Sequence, residues 1–324
     1  MFDGGMDVAE IVAREFGLGP VLDWTRATAG VMNLNWRLVT ERGTYAVKLQ
    51  RDGTPEQIRA VHGVLAQLDF RVPLPLPAPD GDTLLRVGDD WYSVFPWLPG
   101  THPREGGLDL DACAAFGDMV GRMHLALARL CPPAPPTIMD VPAAGDELRE
   151  YAELGPGDEF DLLAREQIAW RLDLLAELGE QRPAPGPVGP AGWTHGDLQP
   201  YNLLAENGRV TGVLDWDRLG VRTYGLEVVR TATITFSTGD QGAVDLARVA
   251  AFALAYRVHI KVSDAELADA AHRRWWVLAT DPWPLDRHYR DGDTTCDHLF
   301  GRRGRALRWW TGHRAEVIAA LTHR

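Results

Sequence analysis

Residues 193–218 read WTHGDLQPYNLLAENGRVTGVLDWDR, the densest run of chemically capable side chains in the chain. Asn207-Gly208 sits between two apolar runs. This is a hairpin signal, because the tight turns that join antiparallel strands need positive φ at their centre. His195-Gly196-Asp197 precedes the turn, and Asn202 follows Asp197 by five positions. Asp215 lies thirteen positions after Asn202 and ends the apolar run VTGVLD. A hairpin returns the chain on itself, so the spacing predicts that Asp197, Asn202 and Asp215 converge at one edge.

Two acids and an amide in one place suit phosphoryl transfer. One carboxylate orients or accepts the proton of an attacking hydroxyl. A second carboxylate and an amide oxygen hold Mg²⁺ across the phosphates of ATP. Catalysis then consists mostly of positioning and charge neutralisation.

The segment resembles the aminoglycoside phosphotransferase / choline kinase family, small-molecule kinases of the protein-kinase-like fold. The family's HGDxxxxN loop corresponds to His195–Asn202, and its metal-binding aspartate to Asp215 in Val213-Leu214-Asp215-Trp216. HGD in place of HRD, and DWD in place of DFG, separate the chain from protein kinases. The resemblance implies Asp197 as catalytic base, Asn202 and Asp215 as Mg²⁺ ligands, and ATP as donor. His195 is expected to brace the loop by hydrogen bonding. Asp217 is a candidate for assisting the metal or touching substrate.

The N-terminal region adds to this. Asn35–Thr40 and Thr44–Leu49 alternate about a turn at Glu41-Arg42-Gly43, which predicts a hairpin. Lys48, in Ala46-Val47-Lys48-Leu49, is the only lysine before residue 261 and sits within an apolar strand, where an unpaired ammonium is costly. The resemblance puts Lys48 on the ATP phosphates and gives Gly30–Arg37, with Asn33 and Asn35, the position of the phosphate loop. Thr54-Pro55-Glu56-Gln57 predicts a capped helix start, with the helix running to about Leu68. Glu56 is the only glutamate on that helix that can partner Lys48; favouring the helix dipole is its other reading. Alternating prolines make residues 72–79 extended, and strands follow at 82–87 and 90–95. Phe95 and Trp97 fall where the family's hinge binds adenine through main chain.

Pro96-Trp97-Leu98-Pro99-Gly100 breaks the pattern. It marks the expected boundary between an N-terminal nucleotide-binding lobe (1–97) and a C-terminal catalytic and substrate-binding lobe (98–324). Beyond it helical periodicity prevails: a stripe from Leu110 to Leu130, a helix over 147–179, and further helices at 244–258, 264–278 and 303–321. The expected fold is α+β and two-lobed: a small antiparallel-sheet lobe with one main helix, then a larger, mainly helical lobe.

Composition limits the partners. The 324 residues carry 33 Lys and Arg against 45 Asp and Glu, a net charge of −12. That balance disfavours nucleic acid polymers and anionic membranes and leans toward an amine-bearing acceptor such as an amino sugar, homoserine or choline. Glu227, Asp293 and Asp297 are candidate substrate contacts, with a structural ion pair to Arg230 the competing reading for Glu227 and an ordinary polar loop the competing reading for the two aspartates. Three scattered cysteines, no apolar run long enough to span a bilayer and no signal-peptide pattern fit a reducing cytoplasm. The 12 tryptophans read mainly as core packing. A catalytically silent nucleotide-binding module is the alternative to an enzyme. A protein kinase is disfavoured because no Ala-Pro-Glu segment follows Asp215.

Overall fold

The computed structural model describes residues 4–27, 34–137, 145–153, 157–186, 188–239 and 242–323. Two compact units account for the chain. One comprises residues 1–103, 129–131 and 200–219; the other comprises 104–128, 132–199 and 220–324. Among the described residues no helix is long and apolar enough to cross a membrane.

The first unit is built on a five-stranded antiparallel sheet. Its strands are β1 (Val21–Ala27), β2 (Leu34–Thr40), β3 (Gly43–Gln50), β4 (Leu85–Val87) and β5 (Asp90–Pro96), in the order β1-β2-β3-β5-β4. The β2–β3 hairpin closes with Thr40 opposite Gly43. Helix α1 (Gly4–Glu15) contributes Ala9, Val12 and Ala13 to a core shared with Leu38, Val47, Leu49, Tyr92 and Val94. Helix α2 (Pro55–Leu65) begins with the predicted capping box: the Thr54 hydroxyl accepts from the Gln57 N–H, and the Gln57 side chain accepts from the Thr54 N–H. The proline-rich run stays extended, and the Leu76 N–H donates to the Val94 carbonyl. Residues 200–219 add the hairpin β7 (Leu203–Glu206) and β8 (Arg209–Val213), which follows the two-stranded element described below. Its turn has φ of 51° at Asn207 and 71° at Gly208, the positive values the Asn-Gly pair predicts.

The second unit is mainly helical. It holds most of α3 (Leu110–Leu130), then α4 (Asp146–Ala152), α5 (Glu159–Leu178), the strand pair β6 (Ala191–Thr194) and β9 (Gly220–Thr223), and α6 (Tyr224–Thr235), α7 (Leu246–Tyr256) and α8 (Asp264–Thr280). A short turn α9 (Trp283–Leu285) and helices α10 (Asp297–Gly312) and α11 (Arg314–Leu321) complete it. The predicted α3 stripe is buried through Cys113, Phe116, Val120, Met123, His124 and Leu127. Gly117 lets α3 approach α7 closely: a Cβ there would stand 2.1 Å from the Phe252 carbonyl oxygen. Trp275, Trp276 and Trp310 are core residues, as is Trp216 in the first unit.

Two expected helices are broken. The one over 147–179 is two, because Asp158 opens a new capping box with Asp161. The one over 303–321 starts earlier, at Asp297, and is interrupted at His313, where α10 ends and α11 begins.

Candidate active site

In the second unit, β6 delivers Thr194 and His195, both fully buried, to a turn at Gly196. Gly196 has φ of 81°, a conformation that favours glycine. Its N–H donates to a Glu227 carboxylate oxygen at 2.9 Å. The Asp197 N–H donates to His195 Nδ1 at 3.2 Å, the bracing role expected of that histidine. The Asp197 carboxylate accepts from the Arg230 guanidinium and from Gln199 Nε2, the latter at 2.9 Å. Arg230 also donates to the Leu198 carbonyl at 3.3 Å. Glu227 and Arg230 stand three residues apart on α6, so one helix face reaches the same loop twice. Burial raises the Glu227 pKa against the opposing pull of Arg230 and the Gly196 N–H.

In the first unit, a short 3₁₀ turn at Pro200–Asn202 leads into β7. The Leu214 N–H donates to the Asn202 carbonyl at 2.8 Å. This bond sets Asn202 beside the residue that precedes Asp215, as the hairpin argument requires. Asp215 has φ of 59°, an uncommon state that Asp tolerates better than most residues. The Trp216 indole N–H donates to the Val213 carbonyl and its ring packs 6.2 Å from Phe70, anchoring the turn.

Lys48 reaches this turn from β3. Its neighbours Val47 and Leu49 face the core, and alternation along the strand sends Lys48 to the other face. Lys48 Nζ lies 2.7 Å from Asp215 Oδ1 and 2.5 Å from Asp217 Oδ2. Burial pushes the Lys48 pKa down, but the two carboxylates outweigh it and the net shift is upward. Burial raises the Asp217 pKa, with Asp215 adding to the effect and Lys48 opposing it.

Other expected residues are placed elsewhere. The Glu56 side chain is 79% exposed and lies 3.9 Å from Arg59. It is not brought to Lys48, whose partners come from the Asp215 turn instead. Asn35 pairs across the sheet with Lys48, whereas Asn33 lies outside the described residues. Phe95 is buried edge-on to His62, and Trp97 is half exposed under the Arg37 guanidinium. Asp293 caps Thr295 and pairs with Arg287, and Asp297 pairs with His288 at 3.0 Å. Both are engaged within their own segment. Sequence reasoning did not foresee that Arg230 and Gln199 hold Asp197, or that Asp217 is the second partner of Lys48. The i, i+3 spacing of Glu227 and Arg230 was the available signal for the first.

Residues 23–261 match the phosphotransferase enzyme family, APH. Homoserine kinase from Ralstonia nicotianae is 29% identical over 287 residues, covering 82% of each chain. Homoserine kinase from Polaromonas naphthalenivorans is 28% identical and covers 95% of this chain and 96% of its own. Among solved structures, AMP-bound spectinomycin phosphotransferase superposes with a TM-score of 0.63 at 13% identity, covering 98% of this chain and 99% of its own. A microcompartment-associated aminopropanol kinase gives 0.59 at 17% identity, covering 96% and 99%. At these identities the structural likeness establishes the protein-kinase-like α+β fold. The range of the family match includes Lys48, Asp197, Asn202 and Asp215, and the chain belongs to the phosphotransferase enzyme family, whose members similar to it are small-molecule kinases.

Proposed function

We propose that the protein transfers the γ-phosphoryl group of ATP to the hydroxyl of a small amine-bearing metabolite, with homoserine the first acceptor to test. The observation that carries this reading is the bond between Lys48 and Asp215, residues 167 positions apart in the chain. It joins the expected phosphate-binding cation to the expected metal-binding carboxylate. Asp215, Asp217 and the Asn202 amide are hard oxygen donors of the kind Mg²⁺ takes, together with phosphate and water oxygens. The left-handed Asp215 backbone is the sort of strain that clusters at ligand sites. When bound, Mg²⁺ would neutralise charge on the triphosphate.

In this reading the first unit handles nucleotide: Lys48 contacts phosphate oxygens, and the strand end at Phe95–Trp97 offers main chain to adenine. The second unit handles the acceptor. Asp197, fixed by Arg230 and Gln199, takes or orients the hydroxyl proton, while Glu227 and His195 position the loop without touching substrate. Homoserine takes precedence among acceptors because relatives named homoserine kinase match over 82% of both chains in one case and over 95% and 96% in another. Three free, buried cysteines suit a reducing, ATP-supplied cytoplasm.

The test is ADP release from Mg²⁺-ATP across a panel of hydroxyl metabolites, with the phosphorylated product identified by its mass. Stimulation by homoserine or another amino alcohol is the expected result. Background release with every member overturns the proposal.

A further inference from the structure

The second unit concentrates guanidinium groups beside the Asp197 loop. Gly225 on α6 packs against α8 so closely that a Cβ there would lie 3.2 Å from the Ala270 Cβ. Arg230 lies five residues beyond Gly225, and Arg274 lies four beyond Ala270. Arg230 and Arg274 lie close enough across these two helices for the charge of one to act on the other. Arg230 faces Asp197. Arg303 and Asp281, which pair with each other, are further electrostatic neighbours of Arg274. Arg171, on α5, lies 4.9 Å over the Phe300 ring and shares Arg303 and Asp281 as electrostatic neighbours.

The charges do not balance. Arg230 has Asp197, Arg303 has Asp281, Arg308 has Glu166 and Arg273 has Asp269. Among the described residues Arg274 and Arg171 have no ion pair of their own. Arg274 Nε, and Arg171 Nε and Nη1, are buried without a hydrogen-bond partner. Burial pushes the Arg274 pKa down to about 9, with repulsion from Arg230 and Arg303 adding to it against the pull of Asp281. Arg274 is half-buried, and its Nη1 and Nη2 are not among the buried atoms; a partly desolvated guanidinium with an idle donor is costly unless an anion completes it. The planar fork matches a carboxylate better than it matches any other small group of metabolites except phosphate.

We infer that Arg274, standing next to the Arg230–Asp197 pair, binds a carboxylate of the acceptor, so that the substrate is a hydroxy amino acid rather than an aminoglycoside, choline or a plain amino alcohol. This rests on the proposed function and adds its selectivity. It also runs against the chain's net charge of −12: the acidity is global, whereas Arg274 itself has no carboxylate at ion-pair distance among the described residues. An acceptor such as homoserine carries its hydroxyl and its carboxylate at opposite ends, which allows one to meet Asp197 while the other meets Arg274.

The test separates binding from turnover. L-2-Aminobutyrate has the carboxylate and lacks the reactive hydroxyl; 3-amino-1-propanol has the hydroxyl and lacks the carboxylate. Titration calorimetry of the full chain, with Mg²⁺ and ADP present, should detect aminobutyrate binding to wild type. Arg274→Gln should weaken that binding about 10- to 100-fold, the usual consequence of losing a charge-assisted bond. Arg274→Lys should fall between the two, since it keeps the charge and loses the fork. In turnover, wild type should favour L-homoserine over aminopropanol by at least about tenfold in kcat/KM, and Arg274→Lys should shrink that ratio through KM. If Arg274→Gln does not fold, judged by its circular dichroism, the lysine variant decides. Aminobutyrate binding that is absent from wild type, or equal in wild type and variant, overturns the inference. Background ADP release from all hydroxyl compounds, with aminobutyrate still bound through Arg274, instead overturns the proposed function.

Discussion

Asp197 and Asp215 are both carboxylates just past the ends of short strands, yet they are held in opposite ways. Around Asp197 the unusual backbone conformation falls on Gly196, which adopts it at little cost. The carboxylate itself meets a planar guanidinium and an amide, and the loop beneath is tied by His195 and by Glu227. Around Asp215 the positive φ falls on the aspartate itself, at a cost of about 1–2 kcal/mol. Its carboxylate meets the Lys48 ammonium, which it shares with Asp217. An arginine fork fixes direction, whereas an ammonium on a flexible stem can exchange one oxygen for another. The first arrangement suits a group that must keep a single orientation toward a hydroxyl. The second suits one that trades partners when phosphate arrives.

The sharpest way to break that contrast is Asp197→Asn. The amide keeps the shape and can still accept from Gln199 or Arg230, so folding should persist while the proton acceptor is lost. Steady-state kinetics should show kcat lower by about 10²- to 10⁴-fold with nucleotide affinity retained. Near wild-type turnover would remove Asp197 from the chemistry. Lys48→Met comes next. It leaves Asp215 and Asp217 facing each other without their common cation, which raises the Asp217 pKa further. We expect kcat/KM for ATP to fall about 10²- to 10³-fold, with KM for the acceptor little changed. A loss confined to the acceptor's KM would contradict the division of labour between the two carboxylates.

Much of this was readable from the chain, and the reasons are local. The Asn207-Gly208 turn, the Thr54 capping box and the α3 stripe each depend on backbone geometry within a few residues. The approach of Asn202 to the Asp215 turn followed from the hairpin, and the Leu214–Asn202 bond realises it. The partner of Lys48 was not readable. Glu56 had the right chain position, but the first turn of α2 points it to solvent, and the β8 end supplies Asp217 instead. The roles of Arg230 and Glu227 depend on where α6 lies against the β6 loop, which is a tertiary fact. That Arg287 and His288 hold Asp293 and Asp297 was likewise not readable, because each pair depends on how its own segment turns. The chain has two lysines, Lys48 and Lys261, among 33 basic side chains. A sequence that otherwise uses arginine so consistently kept an ammonium at position 48, where a movable point charge is what the proposed chemistry needs.

Acid stability offers a smaller effect, in the unit that carries Asp215. His62 is buried on α2 and hydrogen-bonds Thr83 at 2.8 Å. Burial first, and Lys48 second, push its pKa down to about 4 from an ordinary 6.5. The unfolded chain therefore binds a proton that the folded one refuses between those values. Stability is complete above pH 6.5, declines as pH falls, and levels off below about 4. The upper bound on the loss is about 3 kcal/mol at 1.36 kcal/mol per unit. His62→Gln should flatten urea midpoints over that window relative to wild type. An unchanged slope would mean that His62 is not the proton-linked group. Combined with Lys48→Met, the flattening should shrink, because removing the neighbouring cation lets His62 titrate nearer its ordinary value.

Thr54→Ala should give the smallest change, and it calibrates the rest. It removes the hydroxyl that accepts from the Gln57 N–H at 3.3 Å and leaves both carboxylate regions untouched. Loss of such a cap costs about 1 kcal/mol, read as a lower urea midpoint with an unchanged slope. Kinetic constants at 25 °C should stay close to wild type, because a folded population well above 90% remains after a loss of that size. Any rate defect in Asp197→Asn or Lys48→Met can then be compared with a variant that is destabilised without chemical cause. If Thr54→Ala lowers kcat in proportion to its midpoint, the contrast between the two carboxylates would have to be re-derived from stability rather than from the way each is held.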